Sequence, residues 1–342
     1  MDSLGALQQL VPELAGLLER RYTLLRMIRS HGPIGRRFIA AQLGGSERVI
    51  RGDLDLLREQ GLLHATSLGV QLTPEGERVL SQLQDVMRDV YGLEQLERKL
   101  AAALGVKKMI IVPGDCDKDP ASKRDLARAA AEYLCGVLQD GQILAVSGGT
   151  TLAGLAEEVK LHGLRKRVTV VPVRGGLGED IKIQSNSIAV ALAEGLGGNY
   201  RLLHAPEDVR PCNLEQILNE PRIRSVIALG RRADILLHGI GTAEEMARRR
   251  GFDDASIMDL IAAGAVGEAF GCYFDAQGRI VRNTTSVGLR LEDLERIPLV
   301  IAVGGGKSKA WAVMAVLSRG YCDVCITDEG VARRLMSLKE IE

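Results

Sequence analysis

The chain is 342 residues long, 46% hydrophobic and 26% charged, with 44 basic against 44 acidic side chains. That length exceeds what one hydrophobic core usually serves, so two domains are expected, and a formally neutral chain carries no overall signature of nucleic-acid binding, leaving only a local charge concentration to supply one. No charged-then-apolar leader opens the sequence and no run of about 18 apolar residues occurs, which argues against a membrane partner and for the cytoplasm, while six scattered cysteines suggest reduced thiols rather than a disulfide framework.

The N-terminal segment supplies the local charge. Residues 20–60 hold nine arginines against four acidic side chains. Leu17, Leu18, Leu24, Leu25 and Ile28 recur at helical spacing, predicting a first helix over about 14–29 that His31-Gly32-Pro33 stops. A second helix is expected over about 36–43, ended by Gly44-Gly45. Ser46 then caps a third, over 47–60, with Val49, Ile50, Leu54, Leu56 and Leu57 on one face.

A second helix joined by a short turn to a capped helix rich in arginine matches a helix-turn-helix, whose recognition helix leads with its N-terminal residues. Candidate DNA contacts are Arg36, Arg37, Ser46, Glu47, Arg48 and Arg51. Arg48 and Arg51 suit either a guanine edge or a phosphate; Ser46 suits a phosphate or only the helix cap. Runs 61–64 and 70–73, joined around Gly69, predict a two-stranded wing, and Thr73-Pro74-Glu75-Gly76 reads as a capped helix start. A solvated arginine face on a helical bundle is the plainer alternative; the short turn and the wing favour double-stranded DNA as the partner.

Residues 77–104 form an amphipathic stretch broken at Gly92, with Leu80, Leu83, Met87 and Val90, then Leu93, Leu96, Leu100 and Leu104 on one side. Such a stripe needs a partner. It can pack on its own domain or join two copies; pairing two half-site readers favours a homo-oligomer, a dimer or a tetramer. The expected boundary divides residues 1–90, a winged helix-turn-helix with its linker helix, from residues 91–342.

From Lys107 onward, short apolar runs alternate with helical patterns. Strands are expected at 109–112, 143–146, 168–173, 201–204, 226–229, 235–239 and 299–303, with helices at 124–138, 152–160, 187–196, 243–250 and 309–319. This alternation predicts an α/β domain built on a doubly wound parallel sheet, with ligands at the C-terminal strand ends. Glycine pairs follow several of these strands: Ser147-Gly148-Gly149, Arg174-Gly175-Gly176, Gly239-Ile240-Gly241 and Gly304-Gly305-Gly306.

Nucleotide motifs fail on spacing. A phosphate-binding loop ending in Gly306-Lys307-Ser308 needs a glycine at position 301, which is Ile301; a dinucleotide fingerprint starting at Gly239 needs one at 244, which is Glu244. Cys322-Asp323-Val324-Cys325 lacks a second pair or a histidine nearby in sequence, so a buried thiol pair is expected, with no metal and no cofactor.

Ser147-Gly148-Gly149-Thr150-Thr151 is the most telling motif. A strand that turns through two glycines into a helix leaves backbone N–H groups unpaired at the positive end of the helix dipole, a seat for phosphate. Arg174 offers a fork for phosphate oxygens, Lys307 and Lys309 offer cations, and Gln184 and Glu268 suit hydroxyls. The predicted ligand is a phosphorylated sugar. An isomerase or deaminase needs a poised general base near the sugar C1–C2; Glu268 is a candidate, but the second acid–base group has no clear owner.

Four segments of the C-terminal part, Ser147 to Thr151, Asp234 to Gly241, Gly264 to Glu268 and Gly304 to Lys309, make the chain resemble the SorC/DeoR-like sugar-binding transcriptional regulators over nearly its whole length. Pro172 to Glu179 and Gly267 to Gly271 sharpen the likeness. The resemblance implies a winged helix-turn-helix joined to a domain similar to glucosamine-6-phosphate deaminase and ribose-5-phosphate isomerase. It also implies a repressor of glycolytic genes, not an enzyme, with fructose-1,6-bisphosphate as inducer. By motif, Thr150, Thr151, Arg174, Gln184, Glu268 and Lys309 would line the sugar-phosphate site.

Overall fold

The computed structural model describes residues 10–43, 46–176, 180–207 and 209–339. The predicted turn at Gly44-Gly45 and the end of the segment Pro172 to Glu179 lie outside them. The chain divides into two compact units, residues 1–95 with 119–124, and residues 96–118 with 125–342. Among the described residues no helix is long and apolar enough to cross a membrane.

The N-terminal unit contains α1 (Pro12–His31), α2 (Arg36–Leu43), α3 (Glu47–Glu59), β1 (Leu63–Thr66), β2 (Gly69–Leu72) and α4 (Pro74–Val90). β1 and β2 pair antiparallel, as the wing reading required. Ile34 bridges Val70 through two backbone hydrogen bonds of 3.1 and 2.9 Å, anchoring the wing to the start of the α2 region. Thr73 caps α4, its hydroxyl accepting from the Gly76 N–H at 3.0 Å with Pro74 in the first turn.

Leu80 and Met87 of α4 are wholly buried with Leu24, Leu25, Ile28, Ile39, Ile50, Leu54 and Leu57 in one core. The stripe expected to join two copies is, over α4, consumed by its own domain. A helix this amphipathic buries its apolar face against whatever lies closest, and α1 lies against it. After α4 comes α5 (Leu93–Leu104).

The C-terminal unit is built on a seven-stranded parallel sheet, order β3-β13-β12-β7-β4-β5-β6. Its strands are β3 (Lys108–Val112), β4 (Ile143–Val146), β5 (Thr169–Pro172), β6 (Asn199–Tyr200), β7 (Ile235–Gly239), β12 (Leu299–Val303) and β13 (Val324–Asp328). α6 (Pro120–Val137), α7 (Thr150–His162) and α8 (Ser185–Leu196) fall between the first of them, and Leu152, Leu155, Val159, Ile188 and Leu192 join Leu144, Val146 and Val170 in its main core. Buried on both faces, the strands are near-continuous in Val, Ile and Leu.

One expected strand is absent and another is displaced. Residues 226–229 lie in α10 (Pro221–Gly230), the partner of α9 (Pro211–Asn219); Val226, Ile227 and Gly230 make one buried helical face, a pattern that four apolar residues cannot distinguish from a strand. The strand expected at 201–204 is displaced to Asn199–Tyr200, with Arg201 N–H still bonded to Val170 O at 3.0 Å.

A second sheet went unforeseen. β8 (Gly241–Thr242), β9 (Ala265–Ala269), β10 (Cys272–Asp275) and β11 (Ile280–Asn283) form an antiparallel sheet in the order β11-β10-β9-β8. α11 (Ala243–Arg249) and α12 (Asp254–Ala262) pack beside it, followed along the chain by α13 (Leu291–Leu294), α14 (Ala310–Leu317) and α15 (Glu329–Lys339). β9 and β10 are joined by Phe270-Gly271, both with positive φ, 55° and 79°. A two-residue hairpin of that hand normally takes Asn or Asp at its first position, so Phe270 holds a strained backbone.

Candidate functional site

Strand β4 is flanked by β5 and β7. From β4 the chain winds one way, to β5 and β6; from β7 it winds the other, to β12 and β13. Loops diverge at such a switch point and leave a crevice beyond the strand ends. The Ser147 hydroxyl accepts from the Gly239 N–H at 3.1 Å across that point.

The crevice is an open hollow of about 860 Å³ with its mouth and adjoining solvent included. It brings together Ser147, Gly148, Gly149, Thr150, Thr151, Arg174, Gln184, Glu268 and Lys309, nine of the ten predicted effector residues. They come from loops up to 162 positions apart, and only the parallel topology converges them.

Gly149 is the N-cap of α7, has φ 131° and has no side chain to cap the first turn. Gly148 lies so close to the neighbouring loop that a Cβ there would meet Ile183 O at 2.8 Å. The Gly149 N–H is already bonded to that carbonyl at 2.8 Å. The donors that face the crevice are therefore those of the helix start itself, with the Thr150 and Thr151 side chains beside them.

Lys307 is the exception. It lies on the rim of a different hollow, with Asp115, Lys118, Glu329 and Arg334. The Gly306 N–H bonds to Asp328 at 2.6 Å, the Lys307 N–H to Asp115 at 3.1 Å, and the Ser308 N–H to Asp117 at 2.7 Å. Three carboxylates thus take the donors of the glycine loop, so it presents no anion seat of its own. That clamp turns Lys307 outward and leaves Lys309 on the crevice wall, where its ammonium sits 3.8 Å from Glu245.

The crevice also holds side chains outside the predicted effector set: Glu207, His238, Arg249, Arg250 and Phe270. Arg174 donates to Glu207, Arg250 donates to Glu207 at 2.6 Å and to Glu268 at 3.0 Å, and all four are nearly inaccessible. Glu268 also accepts from the Gly271 N–H at 2.6 Å. Arg174 is thus a paired cation inside a neutral buried quartet, not the free fork its place beside a Gly-Gly turn suggested.

His238 is buried at the end of β7 and tilts against Phe270, ring centroids 4.9 Å apart. Its Nδ1 donates to the Gly239 carbonyl at 3.1 Å, leaving Nε2 to accept from the Cys322 thiol at 3.4 Å. Burial pushes its pKa down to about 4, so the ring is neutral. Cys322 and Cys325 are buried, their thiols pushed up by the same cause. They are the inert thiol pair expected, with a histidine brought to Cys322 from 84 positions away.

In the N-terminal unit, Arg36, Arg37, Ser46, Glu47, Arg48 and Arg51 are all exposed. Ser46 is the N-cap of α3, its hydroxyl accepting from the Val49 N–H at 3.4 Å. On the other side of α3, Asp53 is buried and accepts from Arg20 at 2.7 Å and Arg21 at 3.0 Å. Two of the nine counted arginines therefore fasten the helix rather than extend its outer charge. Arg51 lies 3.7 Å from Asp55.

Comparison with known proteins fits this division. Residues 88–337 match a sugar-binding domain family, and residues 17–87 match the CggR N-terminal DNA-binding domain. The chain belongs to the SorC family of sugar-binding transcriptional regulators. It is 41% identical to the central glycolytic genes regulator of Bacillus subtilis over 97% of each chain. A protein of Enterococcus faecalis assigned to the SorC family superposes with a TM-score of 0.65 at 35% identity, covering 71% of this chain and 99% of that one. The full-length sorbitol operon regulator of Klebsiella pneumoniae shares the fold, with a TM-score of 0.66 at 18% identity over 89% and 94% of the two chains. The relatives it matches are named as transcriptional regulators, and the isomerase or deaminase alternative falls away.

Proposed function

We propose that the protein is a repressor of glycolytic genes, an oligomer on operator DNA, whose grip is altered by a phosphorylated sugar, fructose-1,6-bisphosphate first among candidates. The carrying observation is the crevice itself, where an uncapped helix start with two threonine hydroxyls faces Lys309 and the Arg174–Arg250 pair. One phosphate suits the Thr150/Thr151 mouth, Gln184 and Glu268 suit sugar hydroxyls, and the cations that line the same crevice suit a second anionic group. The 41% identity to a glycolytic regulator supports the gene class. The exposed face of α2 and α3, with Arg36, Arg37, Arg48 and Arg51, supports DNA contact.

A ligand changes DNA affinity only by binding one arrangement of the oligomer better than another. The test is anisotropy titration of the full chain, at fixed salt, against a duplex selected from a random library, with and without fructose-1,6-bisphosphate. The expected outcome is a severalfold loss of affinity or a change of oligomeric state. No change in either sinks the effector assignment.

A further inference from the structure

Among the described residues, the crevice is lined by four cationic side chains, Arg174, Arg249, Arg250 and Lys309, against three carboxylates, Glu207, Glu245 and Glu268, with His238 neutral. A dianionic group entering it gains little from net charge alone, so it must take the place of an internal anion. Two carboxylates belong to the buried quartet, and they are held differently. Glu268 accepts from the Gly271 N–H as well as from Arg250, in a strained hairpin. Among the described residues, the Glu207 carboxylate is held by two guanidinium groups, its Oε1 contacting Nη2 of both Arg174 and Arg250.

The backbone around this contact is pinned. The Glu207 N–H donates to Gly176 O at 2.9 Å and its carbonyl accepts from Val287 N–H at 2.8 Å. Arg174 is fixed by a bridge to Gly288 and by the Ser185 hydroxyl, which donates to its carbonyl at 2.7 Å. Side-chain rotation of Glu207 is the smallest movement that opens the seat between Arg174 and Arg250, with Arg250 still bonded to Glu268 at 3.0 Å. One carboxylate oxygen shared by two guanidinium groups is also the arrangement a phosphate or sulfate oxygen makes, with more charge and more acceptors.

We propose that Glu207 is a specificity-determining residue: an internal competitor that occupies the seat of the ligand's second anionic group between Arg174 and Arg250. This deepens the sugar-phosphate reading and rests on it for the nature of the ligand. A ligand with one phosphate, seated at the Thr150/Thr151 mouth, leaves Glu207 in place. A ligand with a second phosphate displaces it. Glu207 thereby lowers affinity for every second anion and sets how strongly charged that group must be.

The test is calorimetric titration of the full chain and its Glu207→Gln variant with fructose-1,6-bisphosphate, fructose 6-phosphate and inorganic sulfate. Glu207→Gln is expected to bind the bisphosphate and sulfate about tenfold tighter, the scale of one charge-assisted hydrogen bond, with fructose 6-phosphate little changed. Unchanged or weaker binding of sulfate and bisphosphate overturns the proposal, as does an equal gain for fructose 6-phosphate. Glu207→Asp, which withdraws the carboxylate by one methylene, is expected to shift the same affinities in the same direction by less, and serves if the glutamine variant folds poorly. A sulfate gain in Glu207→Gln without sugar-phosphate binding by either protein leaves the competitor in place and removes the sugar reading instead.

Discussion

The Ser147 hydroxyl accepts a hydrogen bond from the Gly239 N–H at 3.1 Å. That contact joins the ends of β4 and β7, the two neighbouring strands from which the chain winds in opposite directions. It holds the helix start at Thr150 and the turn at Gly239 on one crevice. The same hydroxyl donates to the Gly148 carbonyl at 3.2 Å, so one small side chain orients the loop on which the phosphate seat depends.

Thr151→Val keeps the shape at the mouth of α7 and removes one donor. Sugar-phosphate binding is expected to weaken about tenfold or more, since a hydrogen bond to a charged group contributes roughly 1.5–3 kcal/mol. A thermal-shift series with glycolytic and pentose phosphates checks it, because a ligand that binds only the folded state raises its stability by mass action. Equal shifts for both proteins would place the phosphate elsewhere.

Arg48→Ala and Arg51→Ala each remove an exposed cation from the start of α3. Operator affinity is expected to fall, and the slope of log affinity against log salt to drop by about one for each arginine that touches a phosphate. A relaxed preference at one base pair with an unchanged slope would instead mark a base contact. Anisotropy titrations across a salt series separate the two, and the sugar-phosphate thermal shift should stay as in the wild type.

Asp53 links α3 to Arg20 and Arg21. Burial alone would raise its carboxyl, but the two arginine hydrogen bonds hold it below its ordinary 3.8. A carboxyl lowered by folding contributes stability above its unfolded value, and loses it as pH falls through the folded one. Asp53→Asn is therefore expected to cost about 1–2 kcal/mol at neutral pH, the low end for a buried pair because both arginines are partly exposed. The difference should shrink below about pH 4, as thermal unfolding of both proteins over a pH series will show.

His238 acts in a different window. Unfolding exposes a ring that titrates near 6.5, whereas the buried ring stays neutral down to about 4. Between those values the unfolded chain binds a proton the folded one refuses, so stability falls with pH by up to ~1.4 kcal/mol per unit, and the loss is complete near pH 4. Replacing His238 with phenylalanine removes that slope if it belongs to this residue. A melting-temperature profile from pH 4 to 7 is the measurement, and an unchanged slope in the variant assigns it to another group.

Features carried by contiguous residues were legible in the sequence. The Thr73-Pro74 helix start, the Ser46 cap, the wing and the strand–Gly-Gly–helix turn at Ser147 each depend on neighbours a few positions apart, and each forms, the wing's first strand two residues later than expected. Short apolar runs were less secure. Residues 226–229 became a helix because Pro221 opens one and its buried face fits the sheet, a choice that four residues do not encode. The strands β8 to β11 were missed because two to five residues carry little periodicity.

What the sequence determined by itself is the pair of domain chemistries: a capped, arginine-bearing helix beside a wing, and an anion seat at a glycine turn. Tertiary structure alone decided which charges are available at those places. Arg20 and Arg21 are drawn onto Asp53, Arg174 and Arg250 onto Glu207, and the glycine loop before Lys307 onto three aspartates. Buried charge must be paired, and its partner is whichever opposite group the fold brings within about 3 Å, often from a distant segment. Spacing along the chain holds no record of that pairing.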